Sequence, residues 1–309
     1  MLRYIIRRVL FLIPVLLGVA FCVFTLLYLT PGDPARMVLG DLATEDAVQE
    51  FRNREGLNDP FLVQFGNYVW KAVTKGDIGR SYITKRSVAQ EVLAVFPATL
   101  KLSALAMLIA ILVGLPCGIL SAIKQYSIFD TVTMIFAMIG LSMPVFWLGL
   151  LLILLFSVHL RWLPSSGFGT FKATILPAVS LSAQAISKVT RMTRSSMLEV
   201  IRADYIRTAR AKGQKEFVVI WVHALHNALI PVVTLCGLQF GHLLAGAILT
   251  ESIFAIPGVG RLMVSSIMQR DYPMVQGGVL FIAIAFSIVN LLVDLVYAYI
   301  DPRIKAQYK

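Results

Sequence analysis

Long apolar stretches without charge alternate along this chain with shorter polar ones. Residues 9–29 form the first, 21 residues free of Asp, Glu, Lys and Arg, preceded by Arg3, Arg7 and Arg8 and closed by Thr30-Pro31-Gly32-Asp33-Pro34. Others run over about 102–123, 131–158, 174–187, 224–250 and 274–299. About 20 apolar residues cross a bilayer as a helix, whereas the alternation of a β-barrel strand occurs nowhere. The pattern predicts an all-α membrane protein with six transmembrane helices. The fourth is short, bounded by Lys172 and Lys188, and is expected to continue past Lys188 into water. A signal peptide also begins with basic residues, but its core is shorter and ends in small residues rather than proline. The first stretch therefore reads as a retained helix.

Charge orients these helices. The chain has 309 residues, 58% of them hydrophobic, a mean hydropathy of +0.78 and a formal net charge of +11. Residues 31–101 hold nine basic and nine acidic residues, so the excess lies elsewhere. With the N-terminus inside, cytoplasmic loops and tails carry fifteen Lys and Arg, against Arg161, Lys172, Arg261 and Arg270 in the short outer loops. The positive-inside rule then places both ends in the cytoplasm. The net charge marks topology, not affinity for nucleic acid. The expected organisation is a tail and first helix over 1–30, a helical extracytoplasmic loop over 31–101, and a membrane domain over 102–300. That domain contains a basic cytoplasmic segment, 188–223, and a tail follows at 301–309. Cys22, Cys117 and Cys236, odd in number and all in apolar stretches, exclude a disulfide framework and read as buried thiols.

The outer loop has its own punctuation. Thr44 can cap a helix ending at Gly56, and Asp59 with Pro60 can open another bearing Phe61, Phe65, Tyr68 and Val69 on one face. The result is a small cap on the membrane helices or a docking surface for a soluble partner. Between the last two spans, Glu251-Ser-Ile-Phe-Ala-Ile-Pro-Gly-Val-Gly-Arg261 is apolar and turn-forming, so Phe254, Pro257, Gly258 and Arg261 are candidates for a mouth loop or docking site.

Ion-coupled carriers keep titratable groups near the bilayer midplane, and this sequence has essentially none. Lys101 falls at the outer end of the second span. Asp294 is either a helix-end acid paired with a base such as Arg303 or a gating residue. Neutral polar residues at mid-span, Ser142, Gln239 and His242 among them with Trp147 beside the Pro144 break, are candidates for a translocation path. Gly114-x-x-x-Gly118 and Gly237-x-x-x-Gly241 permit close helix packing. No glycine precedes a lysine, so a phosphate-binding G-x-x-x-x-G-K-[ST] loop is absent, and no HExxH or GxSxG occurs. His223 and His226 share a helix face without a third metal ligand nearby. Energy for active transport would have to come from outside this chain.

The segment 188–226 carries most of the inside-facing charge. Ser196-Met-Leu-Glu199 has capping-box spacing. Asp204 can cap a helix over 205–212, which Gly213 ends while Arg210 and Lys212 complement its dipole. Tyr205, Ile206 and Ala209 would fall on one side and Arg207 and Arg210 on the other, a pattern that requires a partner for the apolar side.

Asp204-Tyr-Ile-Arg-Thr-Ala-Arg-Ala-Lys-Gly213, followed by His223-Ala-Leu-His-Asn-Ala-Leu-Ile-Pro-Val-Val-Thr234, resembles the EAA-type coupling segment of bacterial ABC importer permeases of the dipeptide/oligopeptide/nickel family. The resemblance covers the chain: Pro31-Gly-Asp-Pro34, Gly76-Asp-Ile-Gly79, Pro97-Ala-Thr99, Ser142-Met-Pro-Val-Phe-Trp147, Arg194-Ser-Ser-Met-Leu198, Pro257-Gly-Val-Gly260, Arg270-Asp-Tyr-Pro273 and Asp301-Pro-Arg-Ile304 follow in family order. Where the general pattern has an acid before the alanines and a closing proline, this chain has Arg207 and His226; a contact at His226 would be pH-sensitive.

The resemblance implies a type I importer permease fold, with a second homologous permease subunit, two ATPase subunits, an extracytoplasmic solute-binding protein and surrounding membrane lipid as partners. It implies no cofactor in this chain and no catalysis by it, ATP and Mg being bound by the partner subunits. The ATPase-coupling residues would be Asp204, Tyr205, Ile206, Arg207, Thr208, Ala209, Arg210, Ala211, Lys212 and Gly213. The cargo would be a dipeptide, an oligopeptide, a glutathione-like peptide or a nickel chelate. A stand-alone carrier or channel and a non-transport membrane scaffold are the competing readings.

Overall fold

The structure, a computed structural model, describes residues 2–40 and 42–300, with the side chains of all of these except 2–5, 7, 294 and 296–300. The expected pairing of Asp294 with Arg303 and the Asp301-Pro-Arg-Ile304 motif lie outside the described residues. Thirteen helices, and no named strand, occur among the described residues. In chain order they are α1 (Leu2–Leu29), α2 (Pro34–Leu39), α3 (Glu45–Glu55), α4 (Phe61–Lys75), α5 (Val88–Ile123), α6 (Ile128–Ser142) and α7 (Val145–Leu152). α8 (Phe171–Ile201), α9 (Asp204–Ala211), α10 (Glu216–Val218), α11 (Leu225–Ile253), α12 (Val259–Met268) and α13 (Tyr272–Ile300) follow. α7 runs on into a π-helical stretch, Ile153–His159, and a second, Val219–Ala224, joins α10 to α11.

Among the described residues, four helices are long and apolar enough to cross a membrane: Arg8–Leu29, Val88–Ile123, Glu216–Ile253 and Tyr272–Val293. A fifth candidate, the pair Ile128–Ser142 and Val145–His159, is bent by 106°. Pro144 explains the break, because a proline ring pushes the preceding residue out of the helical region, and Met143 accordingly sits at φ −77, ψ 126. The stretch expected as a fourth span lies within α8, whose composition is too polar for it to stand out by hydropathy.

The chain divides into two units. The first comprises Ala98–Ile256 with the residues from Ile288 onward. Its centre is α8, on which α6, α7 and α11 all pack. Ser180, Ser182 and Ser187 are buried on α8 and donate to carbonyls of their own helix at 2.9 to 3.0 Å, so the hydroxyls enter the interior already satisfied. Gly114 and Gly118 bring α5 against it: an added Cβ at Gly118 would meet the Thr190 carbonyl and Thr193 Cβ at 2.6 Å. Gly140 brings α6 equally close to Ser187. This is the close backbone approach that small residues allow where lipid offers no hydrophobic drive between helices.

The second unit comprises Leu2–Pro97 and Pro257–Ser287. Phe61 and Phe65 of α4 meet Phe21 and Phe24 of α1 edge to face, with ring centroids 5.3 to 5.7 Å apart. Thr44 caps α3 as expected, accepting from the Ala47 amide, and Gly56 closes it in the left-handed region. Pro60, not Asp59, occupies the cap position of α4, without a side-chain bond. α2 and α12 were not foreseen. Asp33 caps α2 and also accepts from Arg52 Nη2 at 2.8 Å, fastening α2 to α3 over a small core of Ala35, Val48 and Phe51. Asp271 accepts from the Tyr82 amide at 3.0 Å and from the Ser81 hydroxyl, which gives the Arg270-Asp-Tyr-Pro273 motif its role. Cys22 is exposed on α1 rather than buried, whereas Cys117 and Cys236 are partly covered.

Two outcomes follow. A leucine at Gly118 should separate α5 from α8 and lower the melting temperature in detergent by several degrees, at a cost of about 1–3 kcal/mol; Gly246→Ala, where nothing lies within 4 Å, should be neutral. For Asp33, burial raises the pKa, but the hydrogen bonds from Arg52 and the Ala35 amide outweigh it and set the value below the ordinary one. A folded-state pKa below the unfolded value of about 3.9 stabilises the α2–α3 contact at neutral pH, and that contribution is lost as pH falls below about 4 through the lowered value. Limited proteolysis at α2–α3 should accelerate over that range, and Asp33→Asn should show the faster cleavage already at pH 7.

Candidate functional site

The basic segment after α8 folds into a short helix anchored at one point. α8 ends at Ile201, the chain turns, and α9 begins at Asp204. Asp204 is the first helical residue and not the cap; Ala203 holds that position with no side-chain bond, so the carboxylate acts on the helix dipole. Gly213 stops the segment at φ +78 as expected, its amide donating to the Arg210 carbonyl at 2.9 Å. Ser196 and Glu199 open no helix. They lie inside α8, which continues because Ser196 and Met197 remain buried on its packed face.

Ile206 is fully buried among Ile119, Ala122, Met197, Val219, Ile220 and Ala224, with Ala209 half-buried beside it. Ile206 thus joins α9 to a buried cluster that also holds residues of α5, α8 and the π-helical stretch before α11, on which α9 packs. Tyr205 is 46% exposed, and its hydroxyl accepts from Asn227 Nδ2 at 2.9 Å. Arg210 folds back on its own chain: Nε and Nη2 donate to Glu216 at 3.1 and 2.6 Å, and this bond raises the Arg210 pKa above its ordinary value. Arg207 is left as an exposed cation, its guanidinium 3.8 Å from the exposed Asp204 carboxylate. Thr208 donates to the Asp204 carbonyl, while Ala211 and Lys212 are exposed. The exposed side thus includes Tyr205, Arg207 and Lys212, while Arg210 is engaged by Glu216.

A second device fixes the end of α8 that carries α9. Asp130, 3% exposed, receives two bonds from Arg194, Nε to Oδ1 and Nη2 to Oδ2, both 2.7 Å. The Tyr126 amide donates to it at 2.9 Å, and the Ser121 hydroxyl also donates. A buried carboxylate is tolerated only when paired and hydrogen-bonded in this way. The sequence signal was a lone acid at the start of an apolar stretch and an arginine on the facing helix.

Comparison with known proteins decides the family. Residues 114–306 match the family described as "Binding-protein-dependent transport system inner membrane component", and residues 1–103 match its N-terminal companion. The chain belongs to this transport family. It is 45% identical, over 99% of this chain and the whole of the relative, to the dipeptide transport system permease protein DppB of Alkalihalophilus pseudofirmus. It is 44% identical, with the same coverage, to the di/tripeptide transport system permease protein DppB of Pseudomonas aeruginosa. With the glutathione transport system permease protein GsiC of Salmonella choleraesuis it shares 45% over 99% of both chains. Among solved structures, the chain resembles one described as "Inward facing conformations of the MetNI methionine ABC transporter", at TM-score 0.60 and 17% identity over 69% of this chain and 97% of that one. The fold is that of an ABC importer permease, in a multi-pass membrane protein.

The four path candidates of this family member do not converge. Ser142 and Trp147 share a groove of about 640 Å³ at the α6–α7 break. Gln239 is buried and accepts from Lys188 Nζ at 3.2 Å, and His242 lies exposed further along α11; neither lines that groove. Of the mouth-loop candidates, Phe254 is 1% exposed in the core of the first unit, where its carbonyl accepts from the Gly167 amide at 2.9 Å. It packs inward and presents no docking face. Pro257 and Arg261 are exposed and Gly258 is buried at the start of α12. Sequence reasoning missed Glu251, which is fully buried at the end of α11 and accepts from the Thr99 hydroxyl at 2.6 Å. The Pro97-Ala-Thr99 motif was its signal.

Truncating Ile206 to alanine should cost α9 about 2–4 kcal/mol of local anchoring and speed hydrogen exchange across 204–212. Arg207→Ala, at an exposed site, should leave that exchange unchanged.

Proposed function

We propose that this chain is the permease subunit of an ATP-driven importer and forms half of the translocation pathway for di- or oligopeptides or a related small solute. The observation that carries the reading is α9, a terminated helix rooted by Ile206 that leaves Tyr205, Arg207 and Lys212 exposed. It is supported by relatives named dipeptide, di/tripeptide and glutathione permeases. In this reading the bent α6–α7 pair and α8 complete a six-span membrane domain. Both chain ends face the cytoplasm, and α2–α4 lie outside.

A second permease subunit, two ATPase subunits and an extracytoplasmic solute-binding protein complete the assembly. The chain is a non-catalytic subunit, and the ATPases bind ATP and Mg. Residues 204–213 seat in a groove of one ATPase, with Tyr205 packing and Arg207 supplying charge. The Arg210–Glu216 and Arg194–Asp130 pairs keep the peg and its stalk stiff. ATPase closure moves α9, and the buried Ile206 carries that motion into α8 and α11. Reversing a 1:99 bias to 99:1 takes roughly 5.5 kcal/mol of differential stabilisation, which a loose contact would not transmit.

Reconstituted with its partners in liposomes, Arg207→Glu should hydrolyse ATP while peptide uptake falls about tenfold or more, because a reversed charge replaces attraction with repulsion at the contact. Ala209→Gly, which loosens the helix by about 1 kcal/mol, should weaken coupling in the same direction. Normal peptide uptake by both variants would overturn the assignment.

A further inference from the structure

We infer that α4 does not stand clear of the bilayer but lies in its surface, with the face carrying Leu62, Val69, Trp70 and Val73 against lipid acyl chains of the leaflet at the Leu29 end of α1. The inference rests on α1 as a membrane span and not on the transport reading.

α1 sets the depth. Its apolar stretch Arg8–Leu29 has 22 residues, about 33 Å of helix against a hydrocarbon core of roughly 30 Å, so Leu29 stands near one boundary of that core. Phe24 and Phe21 precede Leu29 by five and eight residues and therefore lie about 8 and 12 Å further in; a tilt of about 20° changes these depths little. The Phe61 ring of α4 meets Phe21, Phe24 and Tyr28 at 5.7, 5.3 and 5.0 Å, and the Phe65 ring meets Phe21 and Phe24 at 5.3 and 5.6 Å. The first turns of α4 are thus held at hydrocarbon depth.

At 3.6 residues per turn α4 has three faces. Phe61, Phe65 and Tyr68 form the one that meets α1. Gln64, Asn67, Lys71, Thr74 and Lys75 form a polar one, from which Gln64 donates to the Leu57 and Asp59 carbonyls at 3.1 and 2.8 Å. Leu62, Gly66, Val69, Trp70 and Val73 form the third, about a third of a turn from the rings. That face is open: Leu62, Trp70 and Val73 are 71%, 68% and 78% exposed, and nothing lies within 4 Å of a Cβ placed on Gly66. A helix with one open apolar face and one open polar face lies in the plane of an interface, with its tryptophan and lysines at the boundary. A water-borne partner does not reach the depth of Phe21. Leu26 and Leu29 of α1 are exposed as well, so α4 widens a surface that already faces lipid.

The test uses the assembled transporter in liposomes, its partner subunits free of cysteine and the native Cys22, Cys117 and Cys236 of this chain replaced. A nitroxide is attached in turn at Leu62→Cys, Trp70→Cys and Val73→Cys on the apolar face and at Asn67→Cys and Lys71→Cys on the polar one. All five positions are exposed, so the label leaves the seat of α4 on α1 intact. Collisions with oxygen, which concentrates in hydrocarbon, and with a neutral nickel chelate, which stays in water, are read by electron paramagnetic resonance. Oxygen should exceed nickel several-fold at 62, 70 and 73, and the order should reverse at 67 and 71. Nickel collisions dominating at 70 and 73 would place the face in water, and low rates with both reagents would place it under a protein subunit; either result overturns the proposal.

Discussion

A helix of eight residues does not persist in water on its own, because the cost of nucleating its first turn is not recovered over two turns. α9 has this length, and its geometry depends on the burial of Ile206. The buried cluster that includes this side chain draws on three other elements, α5, α8 and the π-helical stretch before α11. Rigidity of the peg and its mechanical connection to the membrane helices are thus one interaction. A peg held by surface charge alone would be screened and would move independently of the helices behind it.

Behind α9 the same economy of contacts recurs. α8 gathers α6, α7 and α11 and is approached closely by α5 through Gly114 and Gly118. Thr174, Ser180, Ser182 and Ser187 bond to carbonyls of their own helix, so a polar sequence can pack against three other helices. Arg194 and Asp130 then lock the end nearest α9. Breaking either partner would leave an uncompensated buried charge, a far larger penalty than losing a surface pair. A stalk fixed in this way can transmit a displacement instead of absorbing it.

Much of this was legible in the sequence, for reasons that can be named. Residues 9–29 and the stretches within α5, α11 and α13 announce themselves by length without charge, and Thr44, Gly56 and Gly213 by the backbone geometry they favour. Residues 204–213 were readable as amphipathic, with Ile206 on the side needing a partner. α8 was under-read because many of its buried positions are serine and threonine, which hydropathy counts as polar. The capping-box pattern at Ser196 misled because a local motif competes with packing, and the buried face of α8 prevailed. Arg210, Asp130, Glu251 and Asp271 have partners far away in sequence or on another element. Pairing of that kind emerges only when the chain is folded, and it turns weak family motifs into fastening points.

The proposed function rests on α9 as the element through which a motor subunit acts on this membrane domain. The most direct measurement is cross-linking in the assembled transporter, with a cysteine introduced as Arg207→Cys, the native Cys22, Cys117 and Cys236 replaced, and a short bifunctional maleimide added. The permease should be captured covalently with an ATPase subunit, in a yield that changes when nucleotide closes the ATPases. A cysteine at this position that reacts freely with a solvent-borne maleimide in the intact assembly, and never joins an ATPase subunit, would contradict it.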